Sequence, residues 1–167
     1  MNDGLTILEV DEDYINLLRK QDDRILLSKN RRKYVGILFD IVVNGGILHY
    51  VAPITSPKEK HVARYTLDYH EIAKGLGGIN INNMIPVPSS KLKQYSINQE
   101  TDSHYRILLL RQYRTIQTQI QLLATKAAAT YDIVTNPKNT SKDKGAYIVR
   151  CCDFKRLEDK ALDQINR

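Results

Sequence analysis

Two apolar segments on either side of an Asn-Gly turn constrain the fold of this chain most strongly. Residues 34–43 (YVGILFDIVV) and 47–52 (ILHYVA) are rich in β-branched and aromatic side chains and flank Asn44-Gly45-Gly46. Apolar runs joined by Asn-Gly predict an antiparallel β-hairpin. Proline cannot donate a backbone hydrogen bond, so we expect Pro53 and Pro57 to end the second strand.

The remaining segments predict a mixture of helices and antiparallel strands. Asp11 precedes two acidic residues and an apolar stripe, the pattern of a capped helix start. Residues 62–78 fit a strand or a short helix and end in a glycine-rich turn. The other predicted elements are a strand at 5–10, a helix at 12–21, a strand at 79–87, a polar loop at 89–102, a short strand at 147–151 and a helix capped by Asp153.

One long amphipathic helix is predicted from Ser103 to Val134. Its apolar residues recur every three or four positions, namely Leu109, Tyr113, Ile116, Ile120, Leu123, Ala127, Tyr131 and Val134. Such spacing places them on one face of a helix. Together these elements predict an α+β fold, a compact bent antiparallel sheet or partial barrel flanked by helices.

Length and composition favour one soluble domain over residues 1–167. The 167 residues carry 25 Lys and Arg against 19 Asp and Glu, a net charge of +6 that suits a polyanionic partner. We expect no membrane span and no secretory signal, since neither apolar pattern occurs. The adjacent Cys151 and Cys152 predict no disulfide framework, which favours a reducing cytoplasm.

The long helix and the TSPKEKH loop could carry a nucleic-acid site. No Asp or Glu occurs between Ser103 and Tyr131, while arginines and glutamines are frequent. This composition suits phosphates and base edges, although the arginines could instead pair with acids elsewhere in the fold. The loop at 55–61 supplies hydroxyls and cations, although it could equally be a solvated, proline-stiffened surface.

The sequence shows neither a phosphate-binding glycine loop nor a metal-ligand pattern. The four histidines lack paired spacing, and the acidic cluster at 11–13 is explained by a helix start. If this chain is a nuclease, these absences favour chemistry that uses no metal or other cofactor. The 2′-OH of the RNA would attack the neighbouring phosphate, while side chains orient it and stabilise the developing charge.

Several motifs in order resemble the ToxN/AbiQ family of type III toxin–antitoxin toxins. The most specific is YVAPITSPK at 50–58, and the resemblance extends over about residues 7–120. The other matching motifs are Tyr14-Ile15-x-x-Leu18, Asp22-Asp23, Arg32 to Gly36, Ile79-Asn80, Asn83-Met84-Ile85-Pro86, Tyr105 and Arg111-Gln112. The resemblance implies a sheet fold like that of MazF- and Kid-like toxins and a metal-independent endoribonuclease that leaves 2′,3′-cyclic phosphate and 5′-hydroxyl ends.

Site residues follow from the resemblance position by position. Ser56 would orient the reacting ribose, and Thr55 would hold the phosphate or the loop. Arg32, Lys33 and Lys58 would supply catalytic cations. The residues predicted to bind RNA, from these motifs and from the basic loop and helix, are Arg31, Lys60, His61, Arg64, Tyr14, Tyr105, Arg111, Gln112 and Arg114. Ser28 and Leu110 stand where some members carry tyrosine, so Arg111, His61 or Tyr105 would have to move the protons.

The implied partners are RNAs. The resemblance implies a repeat pseudoknot RNA that the toxin cuts from a longer transcript and that then inhibits it. It also implies adenine-rich cellular or phage targets, a role in abortive infection, and a closed ring of three toxins and three RNAs or a smaller ring. Two alternatives stay open: a non-catalytic RNA-binding module of the same fold, and a PemK-like toxin with a protein antitoxin.

Overall fold

The predicted hairpin lies at the centre of an open antiparallel sheet in the computed structural model, which describes residues 5–27, 31–56 and 67–166. The strands are β1 (Thr6–Val10), β2 (Tyr34–Val43), β3 (Gly46–Thr55), β4 (His70–Ala73), β5 (Gly77–Ile79), β6 (Ile85–Pro88) and β7 (Leu92–Gln94). Their order is β4-β5-β3-β2-β1-β7, and β6 also pairs with β3. Each of these pairs is antiparallel.

Helices accompany this sheet, and two of them begin at the predicted caps. They are α1 (Glu12–Arg19), α2 (Ser103–Gln117), α3 (Ile120–Thr135), α4 (Lys144–Arg150) and α5 (Phe154–Ile165). The Asp11 carboxylate accepts a hydrogen bond from the Tyr14 N–H, and Asp153 accepts one from the Arg156 N–H. These bonds satisfy donors that a helix start leaves unpaired.

The α+β prediction is confirmed. Within the described residues, no helix combines the length and apolar character needed to cross a membrane.

The predicted end of the second strand at Pro53 is wrong, because β3 continues to Thr55. The Ile54 N–H donates to the Lys33 carbonyl on the β2 side, so the nitrogen of Pro53 faces the opposite edge. On that edge β6 pairs up to Val51 and β5 begins pairing at Ile54. Pro53 lies in the gap between them, where its missing N–H costs no ladder bond.

The single long helix predicted from 103 to 134 is two helices, divided at Thr118 and Gln119. The Gln119 side chain donates to the Ile72 carbonyl at 3.0 Å, and its Oε1 lies 2.9 Å from Nε2 of His70. The Thr118 hydroxyl donates back to the Thr115 carbonyl, a local bond that competes with helix continuation. Tyr113, predicted on the buried stripe, is 37% exposed.

Three further local predictions are corrected. The strand predicted at 147–151 is part of α4, and the strand predicted at 79–87 is β5, a 3-10 turn and β6. The turn forms because the backbone of Asn82 donates to the Asp68 carbonyl and accepts from the Cys152 N–H. The polar loop predicted at 89–102 contains β7, which pairs with β1. The 3-10 turn and β7 depend on contacts between segments distant in sequence.

An aromatic cluster packs the sheet against α3 and α5. Phe39 stacks on Tyr50 with ring centroids 4.6 Å apart, and Tyr131 and Phe154 complete the group. The Tyr50 and Tyr131 hydroxyls both donate to the buried carboxylate of Glu158, at 2.8 and 2.6 Å. Satisfying buried polar groups in this way avoids a desolvation penalty. Cys151 and Cys152 are buried and free.

Gly36→Ala is expected to lower the stability of the fold by about 2 kcal/mol, because a Cβ there overpacks the sheet. That atom would lie 2.6 Å from Cγ1 of the fully buried Val51. Thermal unfolding should show a melting temperature lower by about 4–8 °C. Gly145→Ala in α4 is the matched control, since its Cβ would meet no atom within 4 Å. An unchanged melting temperature for Gly36→Ala would contradict the close packing at this position.

Candidate active site

A cleft of about 670 Å3 lies where β2 begins, β3 ends and the first turns of α2 pass over them. The site residues predicted from the sequence that line it are Arg31, Arg32, Lys33, Thr55, Ser56, Tyr105 and Gln112. The hairpin register brings the two strand ends together, since Tyr34 pairs with Pro53. Residues more than twenty positions apart therefore share one wall of the cleft.

Lys33 is a buried cation with three described neighbours. Its side chain is 5% exposed, and its Nζ lies 2.6 Å from Oε1 of Glu9. The same nitrogen donates to the Arg31 carbonyl at 2.9 Å and lies 4.0 Å from the centroid of the Tyr95 ring. A buried charge persists only with such compensation. The ammonium group is thus fixed in place rather than mobile in solvent.

Arg31 has a left-handed backbone conformation, with φ at 53°. This region is unfavourable for residues with a Cβ and recurs where function constrains the chain. Here it directs the Arg31 carbonyl towards the Lys33 ammonium, which donates to it. The conformation therefore belongs to the same network that holds the buried cation.

Arg32 joins the segment before β2 to the end of β3. Its Nε donates to the Leu27 carbonyl at 3.0 Å, and its Nη1 donates to the Ile54 carbonyl at 3.4 Å. The described contacts engage two of the five N–H donors of the guanidinium group. Arginine binds phosphate through pairs of guanidinium N–H donors, and the donors of Arg32 that these described contacts leave over are available for this. Arg32 is partly exposed whereas Lys33 is buried, so Arg32 is the more accessible of these two cations.

The two hydroxyl residues at the end of β3 differ in environment. Thr55 is buried, and its Oγ1 donates to the Gly78 carbonyl at 3.3 Å, which ties β3 to β5. Ser56 follows the last residue of the strand and is exposed at the cleft wall. Thr55 therefore holds the strand end, while Ser56 is exposed to the cleft.

The opposite wall contains residues that the sequence analysis missed, namely Glu9, Tyr95, Glu100 and Asp102. The Tyr95 hydroxyl donates to the Glu100 carboxylate, a contact that lowers the pKa of Glu100. Burial, reinforced by this carboxylate, raises the pKa of Tyr95. The pairing of Glu9 with Lys93 in the β1–β7 ladder brings the two segments together. Recognising a short strand inside the segment 89–102, which was predicted as a loop, would have been the way to find this wall from the sequence.

The helix α2 contributes two residues with different environments. Gln112 is 4% exposed, and its side-chain amide donates to the Leu76 carbonyl at 2.7 Å, which holds the turn between β4 and β5. Tyr105 is half-buried at the cleft, and burial raises the pKa of its hydroxyl. Asp102 caps the helix by accepting from the backbone of His104 and Tyr105.

Other predicted site residues lie elsewhere. Tyr14 is 2% exposed and donates to the Pro86 carbonyl at 2.6 Å, so it is a core residue and the RNA-binding prediction for it is contradicted. Arg111 and Arg114 are exposed on α2 but do not line the cleft. Lys58, Lys60, His61 and Arg64 lie outside the described residues, as does Ser28. Leu110 lines a neighbouring pocket.

No metal site is apparent in the described ranges. There, His, Cys, Asp and Glu side chains form no group of three or more that could hold a metal ion. The carboxylates of the cleft have other partners: Glu9 pairs with Lys33, Glu100 accepts from Tyr95, and Asp102 caps α2. The groups that the cleft can offer to an anionic ligand are therefore its cations and its hydroxyl groups.

Comparison with known proteins gives consistent matches. Residues 6–162 match the model of Toxin ToxN, type III toxin-antitoxin system. Endoribonuclease ToxN of Bacillus thuringiensis subsp. kurstaki is 33% identical over 95% of this chain and 83% of its own length. Endoribonuclease AbiQ of Lactococcus lactis subsp. lactis is 25% identical over 94% of this chain and 87% of its own.

Solved structures share the whole fold. One from a study of selective toxin inhibition by a non-coding RNA pseudoknot in bacterial type III systems has a TM-score of 0.86 and 29% identity, over 99% of this chain and 100% of its own. The structure of AbiQ, a lactococcal anti-phage endoribonuclease, has a TM-score of 0.81 at 23% identity, over 98% of this chain and 99% of its own, which shows the fold alone.

The chain folds into an open antiparallel sheet with this cleft, and known endoribonucleases match it along nearly its whole length. These findings define its class as an endoribonuclease toxin. Within that class, the chain belongs to the ToxN toxin family of type III toxin–antitoxin systems.

Proposed function

We propose that this toxin cuts RNA without a metal ion and leaves 2′,3′-cyclic phosphate and 5′-hydroxyl ends. The observation that carries the proposal is the convergence of Arg32, Lys33, Thr55 and Ser56 in one cleft. This reaction needs an oriented 2′-hydroxyl, stabilisation of a phosphorane, and two proton movements. Cations and hydroxyl groups suffice for the first two requirements.

In the proposed reaction, the 2′-oxygen forms a bond to phosphorus and the bond from phosphorus to the 5′-oxygen breaks. The 2′-hydroxyl loses a proton, and the 5′-oxygen gains one. Arg32 and the fixed ammonium of Lys33 stabilise the extra negative charge, with Lys58 assigned the same role. Ser56 orients the 2′-hydroxyl, while Thr55 keeps the end of β3 against β5.

Tyr105 is our candidate donor of a hydrogen bond to the leaving 5′-oxygen. It lines the cleft, and burial raises the pKa of its hydroxyl further above neutral pH, so the hydroxyl keeps a proton to donate. Of the three residues considered for proton movement, Arg111 does not line the cleft and His61 lies outside the described residues. The exposed arginines 111 and 114 of α2 would contact phosphates farther along the RNA.

The biological setting is proposed from the relatives. We infer that residues 1–167 form one cytoplasmic endoribonuclease domain. A small repeat pseudoknot RNA, which the toxin cuts from its own transcript, inhibits this domain in a closed ring of three toxins and three RNAs or a smaller ring. Inhibition by an RNA pseudoknot in a structural relative and the anti-phage activity of AbiQ support this setting and a role in abortive infection. Adenine-rich RNA is the proposed target.

The test is incubation of the purified, RNA-free protein with mixed-sequence RNA in EDTA, followed by analysis of the fragment ends. Cyclic-phosphate and 5′-hydroxyl ends are expected, and the fragments then give the cleavage motif. Bound but intact RNA would overturn catalysis and favour a non-catalytic RNA-binding module. Copurification with a protein inhibitor instead of RNA would favour a PemK-like toxin with a protein antitoxin.

A further inference from the structure

A second pocket of about 420 Å3 lies beside the candidate active site; we call it the side pocket. One wall, from Leu5 to Ile7, is the residue before β1 and the start of that strand. The second wall, from Gln94 to Asn98, is the end of β7 and the segment that follows it. Leu110, Tyr113 and Gln117 of α2 form the third wall.

The side pocket and the cleft differ in charge. Among the described residues that line the side pocket, none is an acid, a lysine, an arginine or a histidine. Its polar groups are amides and hydroxyls, and its apolar surface includes the rings of Tyr95 and Tyr113. An uncharged pocket of rings and amides suits a nucleobase, whereas the cationic cleft suits a phosphate.

Tyr95 connects the two sites, since it lines both. On the cleft side its ring has the Lys33 ammonium 4.0 Å from its centroid. The place for a phosphate and the place for a base therefore share one residue. One RNA strand can occupy both sites, because each ribose carries an uncharged base and is joined to a charged phosphate.

We propose that the side pocket binds an unpaired nucleobase of the substrate RNA next to the scissile phosphate, with Tyr113 as its stacking surface. The inference rests on the proposed ribonuclease function. The residue Tyr113 is 37% exposed although it occupies a position of the apolar helix stripe, so it has surface left for a partner. Aromatic side chains bind unpaired bases by stacking.

The amides around this ring would contact the edge of the base. Gln94 and Asn98 are exposed at the rim of the pocket. The Gln117 side chain donates to the Leu5 carbonyl, which fixes it in the wall. Amide groups present both a donor and an acceptor, the pairing that reads a base edge. The side pocket would thus contribute to the choice of cleavage site.

The test uses the RNA sequence mapped by the EDTA experiment, with a 2′-deoxy nucleotide at the cleavage position so that the RNA binds without being cut. Abasic nucleotides replace one position at a time, and fluorescence anisotropy measures affinity. At one position next to the cleavage site, loss of the base should weaken binding to the wild-type protein about 10-fold. The same loss should have no effect on Tyr113→Ala.

Further variants separate stacking from other effects. Tyr113→Phe should retain the full dependence on the base, and Tyr113→Leu should lose it although apolar volume is kept. Val42→Ala, at an exposed position near the hairpin turn, should behave like the wild type.

If every abasic position weakens binding equally in the wild type and Tyr113→Ala, the side-pocket proposal is overturned while cleavage stands. If the wild type cuts no RNA, both proposals fail.

Discussion

Replacing Ser56 by alanine is expected to slow RNA cleavage about 100- to 1,000-fold while the protein stays folded. Ser56 is the exposed hydroxyl at the end of β3, beside Thr55 and the Arg32 guanidinium. Removing one group that orients or stabilises the reacting atoms costs about this much in other enzymes. Single-turnover cleavage of the mapped RNA measures the effect, because it reports the chemical step rather than product release.

Ser141→Ala is the matched control for Ser56→Ala. Ser141 is exposed in the loop before α4, and it does not line the cleft. Both variants should keep the melting temperature of the wild type, since neither position is buried. A cleavage rate for Ser56→Ala equal to that of Ser141→Ala would remove Ser56 from the reaction. A rate loss accompanied by unfolding would contradict the placement of Ser56 on the surface.

The elements predicted correctly from the sequence are those that local chemistry determines. The hairpin follows from Asn44-Gly45 between two β-branched runs, and α1 follows from the Asp11 cap and its acidic first turn. The break at Gln119 depends instead on His70 and Ile72, almost fifty residues away. Periodicity continues through such a break, so the pattern alone predicted one helix.

The candidate site divides in the same way. The resemblance placed Arg32, Lys33, Thr55 and Ser56 in one site, and the structure brings them to one cleft. The wall containing Tyr95 was not predicted, because its neighbours come from the pairing of β7 with β1. Tyr14 shows the opposite case, since its motif position gave no sign that its hydroxyl bonds to Pro86 in the core. A motif identifies residue types, whereas partners depend on long-range packing.

Glu9→Gln is expected to destabilise the fold by about 3 kcal/mol, which would lower the melting temperature by about 6–12 °C. The Lys33 side chain is 5% exposed, and Glu9 is its described carboxylate partner at 2.6 Å. Glutamine removes the negative charge of that hydrogen-bonded partner, so the ammonium stays buried beside a neutral amide, the Arg31 carbonyl and the Tyr95 ring. Thermal and urea unfolding measure the loss.

Asp163→Asn provides the comparison, because it removes an exposed ion pair in which Lys160 and Asp163 are 27% and 57% exposed. Such a pair contributes about 0–1 kcal/mol, so the melting temperature should barely change. If Glu9→Gln unfolds at the same temperature as Asp163→Asn, Lys33 does not depend on Glu9 for its burial.

The double variant Glu9→Gln/Lys33→Met separates the structural role of Lys33 from its catalytic role. Replacing both charges of a buried pair removes their desolvation cost, so stability should return to within about 1 kcal/mol of the wild type. RNA cleavage by the double variant should be slower than by the wild type, because the cation assigned to the phosphorane is gone. A stable double variant that cuts RNA at the wild-type rate would limit Lys33 to holding the cleft together and leave Arg31 and Arg32 as the cations of the described cleft that can act on the phosphate.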